Sequence, residues 1–296
     1  MSALSQIEYR SRLTWRNYSN GQGCWELKME TMREPLTVYS SSLSGKAGLL
    51  DETKLVLQYL ATGQSIDDVR GMVVEQNLLS KQSPHTRQAV WDAIRLRLAG
   101  MGDDHRIRRV ARVVTSPQLT VQAQNLILFY ELCRSQPLLA DLTADCLYPL
   151  YAKGRSVIDK TDVITWLSFT AEAHTEIATW SPQTREKIAS NYLSLVRDFG
   201  LLNGVQQKHF TQVYIPLPAF AYMLYDLHEQ GLGTKDIIDS PAFRMLLIDH
   251  DDLMLLFADA ARSNYVTFRR TGTIYDLVFH YASVDEVMER VTSKVS

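Results

Sequence analysis

The run Ser181-Pro-Gln-Thr-Arg-Glu-Lys-Ile-Ala-Ser-Asn-Tyr-Leu-Ser-Leu-Val-Arg-Asp-Phe-Gly-Leu-Leu202 decides how the fold is read. Placed on a helix at about 100° per residue, 184–199 gathers Ile188, Tyr192, Leu195, Val196 and Phe199 on one face, which a helix buries. The opposite face carries Lys187, Ser190, Asn191, Ser194 and Arg197, with Glu186 the one acid near its middle. Short hydrogen-bonding groups beside two cations suit phosphates and base edges in a groove. Gly200-Leu-Leu202 closes the helix, and 207–215 alternates as a β-prone stretch with Lys208 and His209 near a turn, ended by Pro216 and Pro218. Helix, Gly-Leu-Leu, then hairpin is the sequence order of a winged helix, a helix-turn-helix variant. A solvated helix beside a structural hairpin has the same order, and winged helices also bind proteins.

Ser181-Pro-Gln-Thr-Arg185 echoes Ser83-Pro-His-Thr-Arg87, and each opens an amphipathic helix. Ser accepts from free helix N–H groups and Pro suits the first turn. The echo therefore fits both shared helix-start chemistry and a repeated helix-turn-helix unit. Further helices are expected over 51–61, 65–79, 83–98, 104–114, 118–135, 137–151, 159–173, 219–229 and 240–261. Ser65 and Asp68 form a capping box, Asp68 standing where Glu is usual. Tyr265–Phe268 and Thr273–Phe279 read as two strands around the turn Arg269-Arg270-Thr271-Gly272. The fold class expected is mainly α, a multi-helix bundle with winged-helix character and one or two small β-hairpins. Its domains would be an arm over 1–36, a helical subdomain over 37–175 and a winged-helix-like subdomain over 176–296.

The 296 residues are 46% apolar and 22% charged, an ordinary globular balance, and 31 Lys/Arg against 33 Asp/Glu give a net charge of −2. Three cysteines without a CxxC pair argue against a disulfide scaffold and for a reducing cytoplasm. The N-terminal stretch lacks the apolar core of a signal peptide, and no apolar run approaches the roughly 20 residues of a membrane span.

Charge is distributed unevenly. Residues 81–112 hold eight cations against three acids, a balance of +5, and 226–260 hold eight acids against two cations, a balance of −6. Arg108, Arg109 and Arg112 share a helix face opposite Ile107, Val110, Val113 and Val114. Their planar forks suit phosphate oxygens, and they equally suit ion pairs with the acidic C-terminal third. Arg269 and Arg270 sit where a wing would reach a phosphate, and Arg10, Arg12 and Arg16 resemble a basic arm. Ser44-Gly45-Lys46 fails as a phosphate loop because Ser40 replaces its first Gly and Ala47 its Ser/Thr. Asp249-His250-Asp251-Asp252 lacks metal-site spacing and reads as a helix cap, and no nucleophile or zinc motif points to an enzyme or a cofactor.

Tyr39-Ser-Ser-Ser-Leu-Ser-Gly-Lys46, Glu52, Leu60, Gly63, Asn77-Leu-Leu-Ser80, Ser83 to Arg87 and Arg95-Leu-Arg-Leu98, with Ser181 to Arg185 and Gly200-Leu-Leu202, resemble the BrxA family, small components of the bacterial BREX phage-defence system. The resemblance runs from about Tyr39 to about Phe279. It implies a non-enzymatic, mostly helical protein with winged-helix character that binds double-stranded DNA beside other BREX components, with no catalytic residues. Charge and helix phase then nominate Arg87, Arg95, Arg106, Arg108, Arg109, Arg112, Arg185, Lys187, Ser190, Asn191, Ser194, Arg197, Lys208, Arg269 and Arg270 as DNA contacts. About five neutralised phosphates would give a log–log salt slope near −4 to −5. A protein adaptor within the same defence complex and a helical RNA-binding module remain as alternatives.

Overall fold

The computed structural model describes residues 38–45, 48–272 and 274–293; the arm expected over 1–36, with its three arginines, lies outside them. The described chain is mainly helical with two small antiparallel sheets, as the sequence predicts. A 3-10 turn at Ser41–Ser44 leads to α1 (Leu50–Ala61), α2 (Ile66–Val74) and α3 (Pro84–Met101). The capping box forms: Ser65 Oγ accepts the Asp68 N–H at 3.1 Å and the Asp68 carboxylate accepts the Ser65 N–H at 3.2 Å. Helix α2 stops at Val74, short of the expected Leu79, and the chain turns with Asn77 and Ser80 in the left-handed region. Helix α3 instead runs through Gly100 to Met101, and it packs on α5 closely enough that a Cβ at Gly100 would collide with Ser135.

Helix α4 (Asp104–Val114) starts on the Asp103 carboxylate, which accepts the Arg106 N–H at 2.9 Å. Helix α5 (Val121–Ser135) is buried without a break from Leu126 to Cys133 and is the centre of the bundle. Helix α6 (Pro137–Asp141) passes through a widened π turn, Leu142–Leu147, into α7 (Tyr148–Ala152). Pro149 has no N–H to give to the preceding turn, and the ladder widens just before it.

Strand β1 (Val157–Ile158), α8 (Lys160–Thr170), α9 (Thr175–Ala178), α10 (Pro182–Asp198), β2 (Leu202–Asn203) and β3 (Lys208–Phe210) follow. The sheet order is β1-β3-β2, antiparallel throughout, with Val157 opposite His209 and Leu202 opposite Phe210. The strand expected over 207–215 is thus three residues long: beyond it the chain leaves the ladder for Pro216, which opens α11 (Leu217–Glu229). This sheet joins residues on both sides of position 175, and the apolar core is continuous from Tyr39 to Met288.

Helix α12 (Thr234–Ile238) precedes α13 (Pro241–Met245) and α14 (His250–Arg262), which divide the helical stretch expected over 240–261 at the Asp249 cap. Leu247 takes a left-handed conformation between them, and the Asp249 carboxylate caps the second by accepting the Asp252 N–H at 2.8 Å. Strands β4 (Val266–Thr271) and β5 (Ile274–Phe279) pair antiparallel, and Phe268 stacks on Phe257 of α14. Arg269 and Arg270 lie within β4, opposite Asp276 and Tyr275, rather than in the turn, which Gly272 takes at φ +62°. Helix α15 (Val284–Thr292) buries Val284, Val287 and Met288 and packs on α11. No helix among the described residues is long and apolar enough to cross a membrane.

Candidate nucleic-acid interface

Helix α10 buries the face the sequence assigns to the core: Ile188, Tyr192, Leu195, Val196 and the adjoining Phe199. Ser181 Oγ accepts the Thr184 N–H at 3.1 Å, and Pro182 fills the first turn. The polar face is divided. Toward its N-terminal end Gln183, Glu186 and Lys187 are exposed; Ser190 at its middle and Ser194 beyond it are half-buried. Its other half meets the 3-10 turn: Asn191 Nδ2 donates to the carbonyls of Leu43 at 2.8 Å and Gly45 at 2.7 Å. Arg197 donates to Asp198 at 2.6 Å, and a Cβ at Gly48 would press on the Asp198 carboxylate.

Three expected contacts on this unit are engaged within the chain. Asn191 fastens the segment before α1. Arg185 Nη2 donates to the Ile177 carbonyl at 3.0 Å and ties α10 to α9. Lys208 is buried, and its ammonium donates to the Gly204 carbonyl at 2.9 Å and to that of Val205, holding the β2–β3 turn closed. Exposed Val205, Gln206 and Gln207 form the tip of that turn.

The echo at α3 repeats the α10 hydrogen bonds. Ser83 Oγ accepts the Thr86 N–H at 3.1 Å and lies 3.0 Å from Thr86 Oγ1; the Ser181–Thr184 hydroxyls are 2.9 Å apart. Arg87 Nη1 reaches the Glu75 carbonyl at 3.4 Å, as Arg185 reaches Ile177. Each arginine thus reaches back to the segment before its helix, Arg87 across the longer distance. Arg95 is exposed on α3.

Helix α4 departs furthest from expectation. Arg106 is clamped between two buried carboxylates, Glu131 at 2.6 Å and Asp226 at 2.7 Å, whose side chains are 0% and 1% exposed. Tyr222 donates to Glu131 at 2.7 Å and Tyr130 to Asp226 at 2.6 Å. Arg134, which the sequence reading missed, lies 3.3 Å from Asp226. Burial alone would raise the Asp226 carboxyl, but Arg134, Arg106 and Tyr130 hold it below the ordinary carboxylate value. Arg109, 6% exposed, pairs with Glu229 at 2.9 Å and lies 3.7 Å from both Asp226 and Asp285. Arg106 and Arg109 are thus committed to carboxylates of the chain itself, although both line a cleft beside α15. Arg112 and Arg108 stay accessible, on Asp285 at 2.8 Å and Asp104 at 2.7 Å.

Arg269 and Arg270 are exposed on β4; Arg270 lies 5.5 Å from the Tyr275 ring centre and donates to the Gly272 carbonyl at 3.1 Å. The signal that marks Arg134 is Glu131, the one acid in the apolar run 126–133, since a buried carboxylate requires a cation.

A crystal structure of an uncharacterized protein from Magnetospirillum magneticum shares the fold, with a TM-score of 0.56 at 16% identity over 72% of this chain and 100% of that one. No curated protein matches the chain. The BrxA family model matches residues 37–224, which takes in the bundle, both Ser-Pro-x-Thr-Arg helices and the three-stranded sheet, and the chain belongs to the BrxA family and through it to the BREX phage-defence system.

Proposed function

We propose that the chain is a non-enzymatic component of BREX that binds double-stranded DNA through a winged-helix module comprising residues 137–210. The observation that carries this reading is the order of elements: a helical segment over α6 and α7, β1, α8, α9, α10, then a hairpin whose β3 pairs back onto β1. In a helix-turn-helix the second helix enters the major groove with its N-terminal residues on base edges. That end of α10 is its open end, with exposed Gln183 and Lys187, and the 204–207 turn stands as the wing. Lys187 is the phosphate contact of this face.

A roughly 30-bp duplex titrated by fluorescence anisotropy at three salt concentrations, beside a matched RNA, tests the reading. Lys187→Glu is expected to weaken duplex binding about tenfold near 0.1 M salt and flatten the log–log salt slope by at least about one. Failure of the wild type to bind duplex at 0.1 M salt, or an unaffected variant, overturns it. A second reading, an adaptor for other BREX components, draws on Val205, 80% exposed at the wing tip, and on the arginines satisfied within the chain. It predicts feeble duplex binding and co-purification with a BREX subunit that is lost on Val205→Asp.

A further inference from the structure

We propose that α15 masks a second phosphate-contact face, on α4, with Asp285 seated where a DNA phosphate oxygen would sit; this rests on the DNA-binding reading above. Three side chains of α4 converge on that one carboxylate: Arg112 Nη2 at 2.8 Å, His105 Nε2 at 3.6 Å and Arg109 Nη1 at 3.7 Å. Several nitrogen donors on one anionic oxygen pair is the coordination that protein side chains give a backbone phosphate. Arg109 is committed to Glu229, but Arg112 is 55% exposed and His105 is exposed as well. Arg108 adds a third cationic or donor group one turn away, in an accessible pair with Asp104.

The mask is held from one side. Helix α15 is fixed by Val284, Val287 and Met288 against α11 and by the Glu229 carboxylate, which accepts the Val284 N–H at 2.7 Å. Toward α4 it faces clefts on both sides of the Asp285 bridge. One, of about 510 Å³, runs past Met101, Arg106 and Ser283, and the other, of about 360 Å³, past Val113, Pro117 and Met288. Asp285 thus spans two solvent-reachable clefts while holding Arg112 at 2.8 Å.

The test is a double-mutant cycle on the full chain, with a roughly 30-bp duplex and salt from 0.05 to 0.2 M. Asp285→Asn is expected to tighten binding three- to tenfold at 0.1 M and to steepen the salt slope by about one. Arg112→Gln alone is expected to leave wild-type affinity within twofold, since a masked arginine contributes nothing, and to abolish the gain when combined with Asp285→Asn. Asp285→Glu, which keeps the charge, restores wild-type behaviour. Affinity and slope unchanged or weakened in Asp285→Asn, while the wild type binds, overturn the mask and leave the DNA reading standing. A loss beyond twofold in Arg112→Gln also overturns it, and does so even where Asp285→Asn fails to fold. Absence of binding by wild type and variant alike sinks the DNA reading and the mask with it.

Discussion

Arg106→Met separates the structural from the nucleic-acid role of the α4 arginines. Methionine keeps much of the side-chain volume but removes the guanidinium that donates to Glu131 at 2.6 and 3.0 Å and to Asp226 at 2.7 Å. Both carboxylates are essentially inaccessible, so water cannot replace the lost donors. Breaking one partner of a buried ion pair costs about 3–5 kcal/mol, whereas an exposed pair is worth up to about 1 kcal/mol. For a chain of this size each kcal/mol moves the melting point by about 2–4 °C, which gives a fall of roughly 10 °C. Asp226 is held below its ordinary value, so its contribution is complete above that value and disappears only as pH falls through the lower, folded-state one. The loss in Arg106→Met is therefore expected to persist from pH 5 to pH 8. Circular-dichroism melts at both pH values, with duplex affinity measured alongside, decide the matter. A melting point within about 2 °C of wild type together with a tenfold loss of duplex affinity would refute the assignment and return Arg106 to the phosphate contacts.

Asp145 offers a pH-dependent prediction of opposite sign. Burial pushes its carboxyl up to about 6 despite Arg244 at 3.5 Å. The native state then favours the protonated form, a stabilisation present below the unfolded value and lost as pH rises through about 6. Asp145→Asn is expected to gain about 1–3 kcal/mol at pH 7.5 and little at pH 4.5, read as a difference in melting points; an equal shift at both pH values contradicts the burial argument. At the wing, Gly204 has φ +85° and a Cβ there would collide with the Gln207 carbonyl. Gly204→Ala is expected to cost at least about 1 kcal/mol in urea unfolding, and an unchanged midpoint contradicts this turn geometry.

The helices were legible because the features that start them are local. Ser65 with Asp68, Asp103, Ser181 and Asp249 each cap the helix the sequence predicts, and the caps depend on residues within one turn. The strands were less so. Alternation over 207–215 signals β-propensity, but only Lys208–Phe210 finds partners, and pairing with Val157 and Ile158 is set some fifty residues away. Placement of Arg269 and Arg270 in a turn failed for a related reason. Gly272 supplies a positive φ at the turn, and the ladder extends through both arginines to Thr271.

The site was harder to read because helix phase states which residues share a face and not what that face meets. Arg109 does share a side of α4 with Arg112, yet that side packs where Glu229 arrives from 120 residues along the chain. The sequence left open whether the basic stretch pairs with the acidic C-terminal third, and for Arg106 with Asp226 and Arg109 with Glu229 it does. The Ser-Pro-x-Thr-Arg echo has a comparable physical origin: its arginine carries a helix-to-helix tie in both copies, so the motif speaks of fold before function. These commitments bear on a measurable number. Counting cations along the chain gives about five phosphate contacts and a salt slope near −4 to −5. With Arg87, Arg106, Arg109, Arg185 and Lys208 bound to protein atoms and Arg112 held by Asp285, the nominated cations left are Arg95, Arg108, Lys187, Arg197, Arg269 and Arg270, spread over α3, α4, α10 and β4; about half of them facing one duplex gives an expected wild-type slope near −2 to −3. A wild-type slope steeper than about −6, beyond what those remaining cations release, would mean that the buried arginines leave their carboxylates to bind DNA, which the depth of Glu131 and Asp226 argues against.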